Sequence, residues 1–301
     1  MLRHSIERKT TGSRIRRTGD AAPGLRAALQ RALSCALFAG FAWAATDASV
    51  RAAADPCVDL AQAIAALKEG DQFQETTELF TAARRGCETE AQKLLNLGAA
   101  IDARDREGAT ALARAAEAGK LKLVNLLLSR GANVNARAVN GSTPLFYATQ
   151  EDRANIVGVL LERGADPNLT GRSGLSPLEA AAYNDSPNIA KLLLQHGAKP
   201  DAPDENGKGA MIYAAGRGNT PVVALLLDAG VDVNRRYGHN LTALMWAAGH
   251  DAAAGSQDIE ATVKLLLARG AKADMKDDRG MTAADIARSL GYDQIVTLLS
   301  P

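Results

Sequence analysis

Side chains able to do acid–base, nucleophilic or metal chemistry are few in this sequence and poorly grouped for it. The histidines are His4, His196, His239 and His250, and the cysteines are Cys35, Cys57 and Cys87. They form no His-Glu-x-x-His and no Cys-x-x-Cys. Gly-x-Ser-x-Gly is absent too, as is a phosphate-cradling glycine loop followed by Lys and Ser or Thr. His196 stands just before Gly197, where a cation suits the end of a helix dipole. His239 and His250 flank one short apolar segment. They are the only visible seed of an alternative reading, an enzyme or metal-dependent stress protein with an unconventional site. The expectation is no catalytic residue, no metal ligand and no cofactor. Cys57 and Cys87 leave two readings open, a disulfide or a pair of partly buried free thiols.

The compartment bears on that choice. Residues 1–44 hold eight basic and two acidic side chains, a net of +6, so the remaining chain is about −5. After Arg31 comes ALSCALFAGFAWAA, an apolar run too short to span a bilayer but long enough for the core of a secretory signal peptide. Ala42-Trp43-Ala44 offers small residues for cleavage, and Ala52-Ala53-Ala54 offers a second cut. A short uncleaved anchor and an Arg-rich mitochondrial presequence are the rival readings of this segment. Export to the periplasm or beyond is the expectation, with no stable membrane span after cleavage. Cleavage would remove Cys35 and leave the even pair Cys57 and Cys87. Nucleic acid is not an expected partner, because basic residues after the leader alternate with acids and form no stripe.

Composition then constrains the scaffold. The 301 residues are 47% hydrophobic but only 4% aromatic, with 27 glycines. Small residues must do the packing, which favours stacked small helical units over one large core. A period of 33 residues organises the chain. Gly108, Gly141, Gly174, Gly207 and Asn240 mark one register, and Gly131, Gly164, Gly197 and Gly230 a second. The next interval in both registers is 40, so a later unit carries seven extra residues, within the segment GHDAAAGSQD. That insertion reads either as a contact element or as a neutral length variant.

Each unit spells two helices. Thr143 can cap the first, with Pro144 in its opening turn. Leu145, Ala148 and Thr149 then make a narrow stripe at helical spacing. A second helix carries Ile156, Val157, Leu160 and Leu161, and Gly164 is suited to the left-handed conformation that ends it. Asn135, Asn168, Asp201, Asn234 and Asp274 suit the turn that follows. Gly209 replaces the capping Thr, which predicts a weaker helix start in that unit. No unit buries its apolar face alone, so neighbours must stack.

These units resemble the ankyrin repeat family, whose hallmark is Thr-Pro-Leu-His-x-Ala-Ala, then Gly, an apolar second helix and Gly-Ala. The resemblance covers residues 76–301, with the family's usual His replaced by Ala113, Phe146, Glu179, Ile212 and Met245. It implies an all-α solenoid of helix-turn-helix units joined by β-hairpin-like turns. The expected divisions are a leader (1–44), a linker with a short helix over Val58 to Leu67 (45–75), and seven units including caps. Those units are 76–104, 105–137, 138–170, 171–203, 204–236, 237–276 and 277–301.

The resemblance also implies a non-enzymatic module, a monomer, holding a partner protein with its hairpin tips and the concave surface of its first helices. Mapped by position, the candidates are Arg106, Glu107, Glu117, Val139, Asn140, Gln150, Glu151, Arg172, Ser173, Tyr183, Asn184, Glu205, Asn206, Lys208, Arg217, His239, Leu241 and His250. Phe146, Tyr147, Tyr213 and Trp246 join them as aromatic candidates on first helices, because aromatic side chains anchor interfaces. Tyr147, Tyr213 and Trp246 share one repeat position and can equally pack against the next unit.

Overall fold

A computed structural model of the chain describes residues 55–68, 70–249 and 256–300. They lie within one compact unit spanning Ala52–Pro301. A short helix α1 (Val58–Ala65) is followed by seven helix pairs among the described residues. The pairs are α2 (Gln72–Arg85) with α3 (Glu88–Leu97), α4 (Ala111–Glu117) with α5 (Leu121–Ser129), and α6 (Pro144–Gln150) with α7 (Ala154–Glu162). Next come α8 (Pro177–Tyr183) with α9 (Pro187–Gln195) and α10 (Ala210–Arg217) with α11 (Thr220–Asp228). The last two are α12 (Ala243–Ala248) with α13 (Ser256–Ala268) and α14 (Ala283–Leu290) with α15 (Asp293–Leu299). First helices stack on first helices and second helices on second helices, in chain order.

Local chemistry sets each boundary. Thr110, Thr143, Ser176, Thr242 and Thr282 each accept a hydrogen bond from the amide three residues on, fixing where a first helix begins. Gly209 has no side chain with which to do so, yet α10 begins at the equivalent position. Space is tight there as well: a Cβ would lie 3.3 Å from both the Ala202 carbonyl and the Tyr237 ring. Second helices end on Gly131, Gly164, Gly197, Gly230 and Gly270, all at positive φ. An added Cβ at these five positions would meet nothing within 4 Å, so conformation and not crowding selects glycine.

The core repeats with the helices. Leu127, Leu160, Leu193, Leu226 and Leu266 occur once per unit on second helices, and none is exposed. Each buried leucine contributes roughly 1.5 to 3 kcal/mol by leaving water. Asparagine then ties neighbouring turns together. Asn168 accepts from the Lys199 amide at 2.9 Å and donates to the Gly197 carbonyl at 3.0 Å. Asn135 and Asn234 make the same pair of bonds one unit earlier and two units later. Asp201 sits in the ladder but cannot donate, so it pairs with Arg235 instead and leaves Oδ1 buried without a partner.

The N-terminal boundary at 75/76 needs correcting, because it falls inside a helix. Asp71 caps α2 by accepting from the Gln74 amide, and Thr77 is an interior residue whose hydroxyl donates to the Phe73 carbonyl. Helix α1 packs on α2 and α3, burying Leu60. A disulfide of 2.04 Å joins Cys57 to Cys87, and Arg85 donates to the Pro56 carbonyl at 2.9 Å. The hairpin-like links are tight turns such as 138–142, closed by the Ala138 amide on the Ser142 carbonyl at 2.9 Å.

Candidate protein-binding surface

One first-helix position recurs every 33 residues as Arg114, Tyr147, Ala180, Tyr213 and Trp246. Its first two members are buried. Arg114 donates to Asp105 at 2.7 Å, Glu107 at 2.7 Å and Glu117 at 2.9 Å, with its guanidinium 5.9 Å from the Tyr147 ring centre. Burial pushes the Asp105 carboxyl up, but the Arg114 guanidinium and the Ala109 and Glu107 amides outweigh it, and the net is lowered. Tyr147 is only 6% exposed and packs on Ala109, Ala113 and Ala138. Of its two expected roles, interface anchor or packing against a neighbouring unit, Tyr147 takes the second, because the alanines let the ring drop into the stack. Phe146 is buried as well, its ring so close to Gly171 that a Cβ there would lie 2.5 Å away. Arg114 itself escaped the sequence reading; the carboxylates at Asp105, Glu107 and Glu117 were the available signal.

Ala180 is buried too, but Tyr213 and Trp246 are only partly so. Ala180 is small, and three residues on Tyr183 stands half exposed, where the next two units carry Gly216 and Gly249. A cleft of about 300 Å³ results, walled by Tyr183, Tyr213 and Trp246 and floored by Ile212 and Gly216. Tyr183 meets Tyr213 edge to face at 6.2 Å. Arg217 lies 4.4 Å over the Tyr183 ring, and Lys208 lies 4.8 Å over Trp246 and 5.8 Å over Tyr213. Tyr213 donates its hydroxyl to Asp204 at 2.5 Å. Burial and that carboxylate push the Tyr213 hydroxyl far above its ordinary value. Burial alone would raise Asp204, but the Tyr213 hydroxyl and the Lys208 and Asn206 amides hold it low. Five sequence-predicted residues (Tyr183, Lys208, Tyr213, Arg217 and Trp246) thus converge on one cleft.

The other candidates scatter. Arg106 and Glu107 line a separate cleft of about 880 Å³ together with the exposed Phe73, Asp105 and Arg114. Val139, Asn140, Arg172 and Glu205 are exposed on successive hairpin tips. Asn184 spends its side-chain amide on the Gln150 carbonyl at 2.9 Å. Leu241 is partly buried against the core. His239 is exposed, with Nδ1 3.8 Å from Asp278, and His250 lies outside the described residues, as does most of the GHDAAAGSQD insertion. His196 Nδ1 lies 2.9 Å from the Leu192 carbonyl on its own helix. Among the described residues, three metal-capable side chains gather only at Cys57, Cys87 and Glu90, where the two sulfurs are bonded to each other.

Models of tandem ankyrin repeats match residues 50–138, 79–171, 135–204 and 178–255, and a single ankyrin repeat matches 239–278. Together they span about three quarters of the 301 residues. The chain belongs to the ankyrin repeat family. No curated protein matches it. Ankyrin repeats are generally protein–protein interaction modules and typically carry no enzymatic activity. No described helix of this ankyrin solenoid is long and apolar enough to cross a membrane. At the position of the family's usual histidine, Glu179 accepts from the Ser176 amide at 2.6 Å and leaves Oε1 buried without a partner. Burial raises its carboxyl, the Ser176 bonds lower it in part, and Asp204 raises it again.

Proposed function

We propose that this chain is a non-enzymatic recognition module that holds a partner protein on the face formed by its first helices and hairpin tips. The observation that carries this reading is the cleft of Tyr183, Lys208, Tyr213, Arg217 and Trp246, which brings three aromatic rings and two cations together. Aromatic residues and arginine dominate the energetics of protein interfaces. The helix stack holds the cleft in place, so binding orders few side chains. The +6 charge and apolar run of residues 1–44, together with the Cys57–Cys87 disulfide, support an exported protein, periplasmic or secreted, working where disulfides persist.

The test is retention of partner proteins from an extract of the source cells by the immobilised chain. Changing Tyr183→Ala together with Trp246→Ala should abolish that retention while leaving the helical circular dichroism signal intact. Retention that survives the double change would sink this surface. Fractionation of those cells, with the mature N-terminus read by mass spectrometry, tests the export reading; an intact leader on protein in the cytosol would end it.

A further inference from the structure

The aromatic cleft carries its own cations, and that decides what it can take. An aromatic box with bare ring faces attracts quaternary ammonium groups. Here the Arg217 guanidinium covers Tyr183 at 4.4 Å and the Lys208 ammonium covers Trp246 at 4.8 Å. A cationic ligand would meet like charge at both faces. Neither cation forms an ion pair among the described residues. The nearby carboxylates lie on other partners and make no ion pair with either cation among the described residues. Asp204 is occupied by the Tyr213 hydroxyl and by the Asn206 and Lys208 amides. Glu179 is buried beneath, and Glu205 extends over Gly174. Burial and then Asp258 raise the Asp185 carboxyl, and Arg217 lowers it in part, so Asp185 feels Arg217 without pairing with it. The stacked guanidinium keeps its edge donors for a planar, two-oxygen acceptor.

Resting on the recognition reading above, we propose that the partner enters as an acidic peptide segment, a carboxylate side chain beside an apolar one. Arg217 and Lys208 hold the carboxylate, and Tyr183, Tyr213 and Trp246 wall the apolar neighbour. Gly216 is the specificity element. Units earlier in the stack carry Glu117, Gln150 and Tyr183 at its position, and any of these would fill the space. Its Cβ would stand 3.4 Å from the Trp246 ring, an ordinary contact, so alanine is accommodated while a longer side chain projects into the cleft.

Trp246 reports occupancy directly, because the only other tryptophan is Trp43 and a Trp43→Phe full-length chain leaves one fluorophore. The probe is the blocked peptide acetyl-Leu-Asp-Leu-Glu-Leu-amide. Controls replace both acids by Asn and Gln, or by two Lys. The expected result is a saturable change in Trp246 emission with the acidic probe and at least about tenfold weaker binding of both controls. Lys208→Gln and Arg217→Gln should each weaken the acidic probe by about tenfold, and raising salt from about 50 to about 500 mM should weaken it several-fold. Gly216→Leu should abolish the response with an unchanged urea midpoint or a higher one, since leucine favours helix over glycine. Equal binding of the amide control, or no saturable response up to about 5 mM acidic probe, overturns the proposal. If that happens while Tyr183→Ala and Trp246→Ala still abolish partner retention, the surface stands and only its ligand chemistry falls.

Discussion

Two side chains show how burial and charge are settled residue by residue. Arg114 is buried against Asp105, itself nearly buried, while its other partners Glu107 and Glu117 are more exposed. Surface pairs contribute little, but removing one partner of a buried pair leaves an uncompensated charge. Arg114→Met should therefore lower unfolding stability by about 3 kcal/mol in urea titrations at neutral pH. Most of that loss should vanish when Asp105→Asn is added; a double variant as unstable as the single one would remove the explanation. Glu179 runs the other way. Its folded carboxyl is raised by burial, so the folded state holds the proton more tightly than the unfolded chain. That stability is fully present below the unfolded value of 4.5 and is lost as pH rises through the folded one. Glu179→Gln keeps the acceptor for the Ser176 amide without the charge. It should gain about 1 kcal/mol at pH 7 and flatten the stability profile across that window. A variant less stable than wild type at pH 7 would contradict the burial argument.

Helices and turns were the most legible level. The capping Thr and Pro, the leucine stripe and the second-register glycines each name a backbone requirement that a single residue type meets, so the helix pairs could be read off the 33-residue period. Gly209 was read correctly as a missing cap, but the Tyr237 ring close beside it is a contact between units and invisible in one repeat. The boundary at 75/76 falls inside α2 because this first helix, capped by Asp71, begins earlier than the repeat register implies. Tyr147 and Trp246 share a sequence position yet differ in burial, since the alanines around Tyr147 have no counterpart around Trp246. Asn135, Asn168 and Asn234 were legible as turn formers but not as bridges between units. That ladder gives a prediction at its weak rung. Asp201→Asn restores the donor toward Gly230 and removes a buried unpartnered oxygen, at the expense of a partly exposed ion pair with Arg235. Denaturant titration should show a gain of about 1 kcal/mol, whereas Asn168→Asp should cost about as much. A loss at both positions would show that the ladder bonds do not govern these turns.

Across the whole stack, each helix pair is held by its neighbours, and the first pair has a neighbouring repeat on one side only. Helix α1 covers part of the other side, fixed to α3's capping residue by the Cys57–Cys87 bond. The bond closes a loop whose ends are 30 residues apart, worth roughly 3 to 4 kcal/mol on a chain-entropy view. In a nearest-neighbour solenoid that stabilisation acts locally. Reduction should therefore lower amide-exchange protection in α1, α2 and α3 strongly and in α4 and α5 weakly, leaving α8 to α11 unchanged. Hydrogen exchange read by mass spectrometry, with and without reductant, resolves that gradient, and Cys57→Ser should reproduce the reduced pattern without reductant. A uniform loss of protection from α1 to α15 would mean that the stack unfolds as one body. Unchanged protection in α2 and α3 would mean that α1 is an ornament rather than a cap. The aromatic cleft on α8, α10 and α12 lies units away from the disulfide, so the same logic requires its Trp246 emission to be identical in the oxidised and reduced chains.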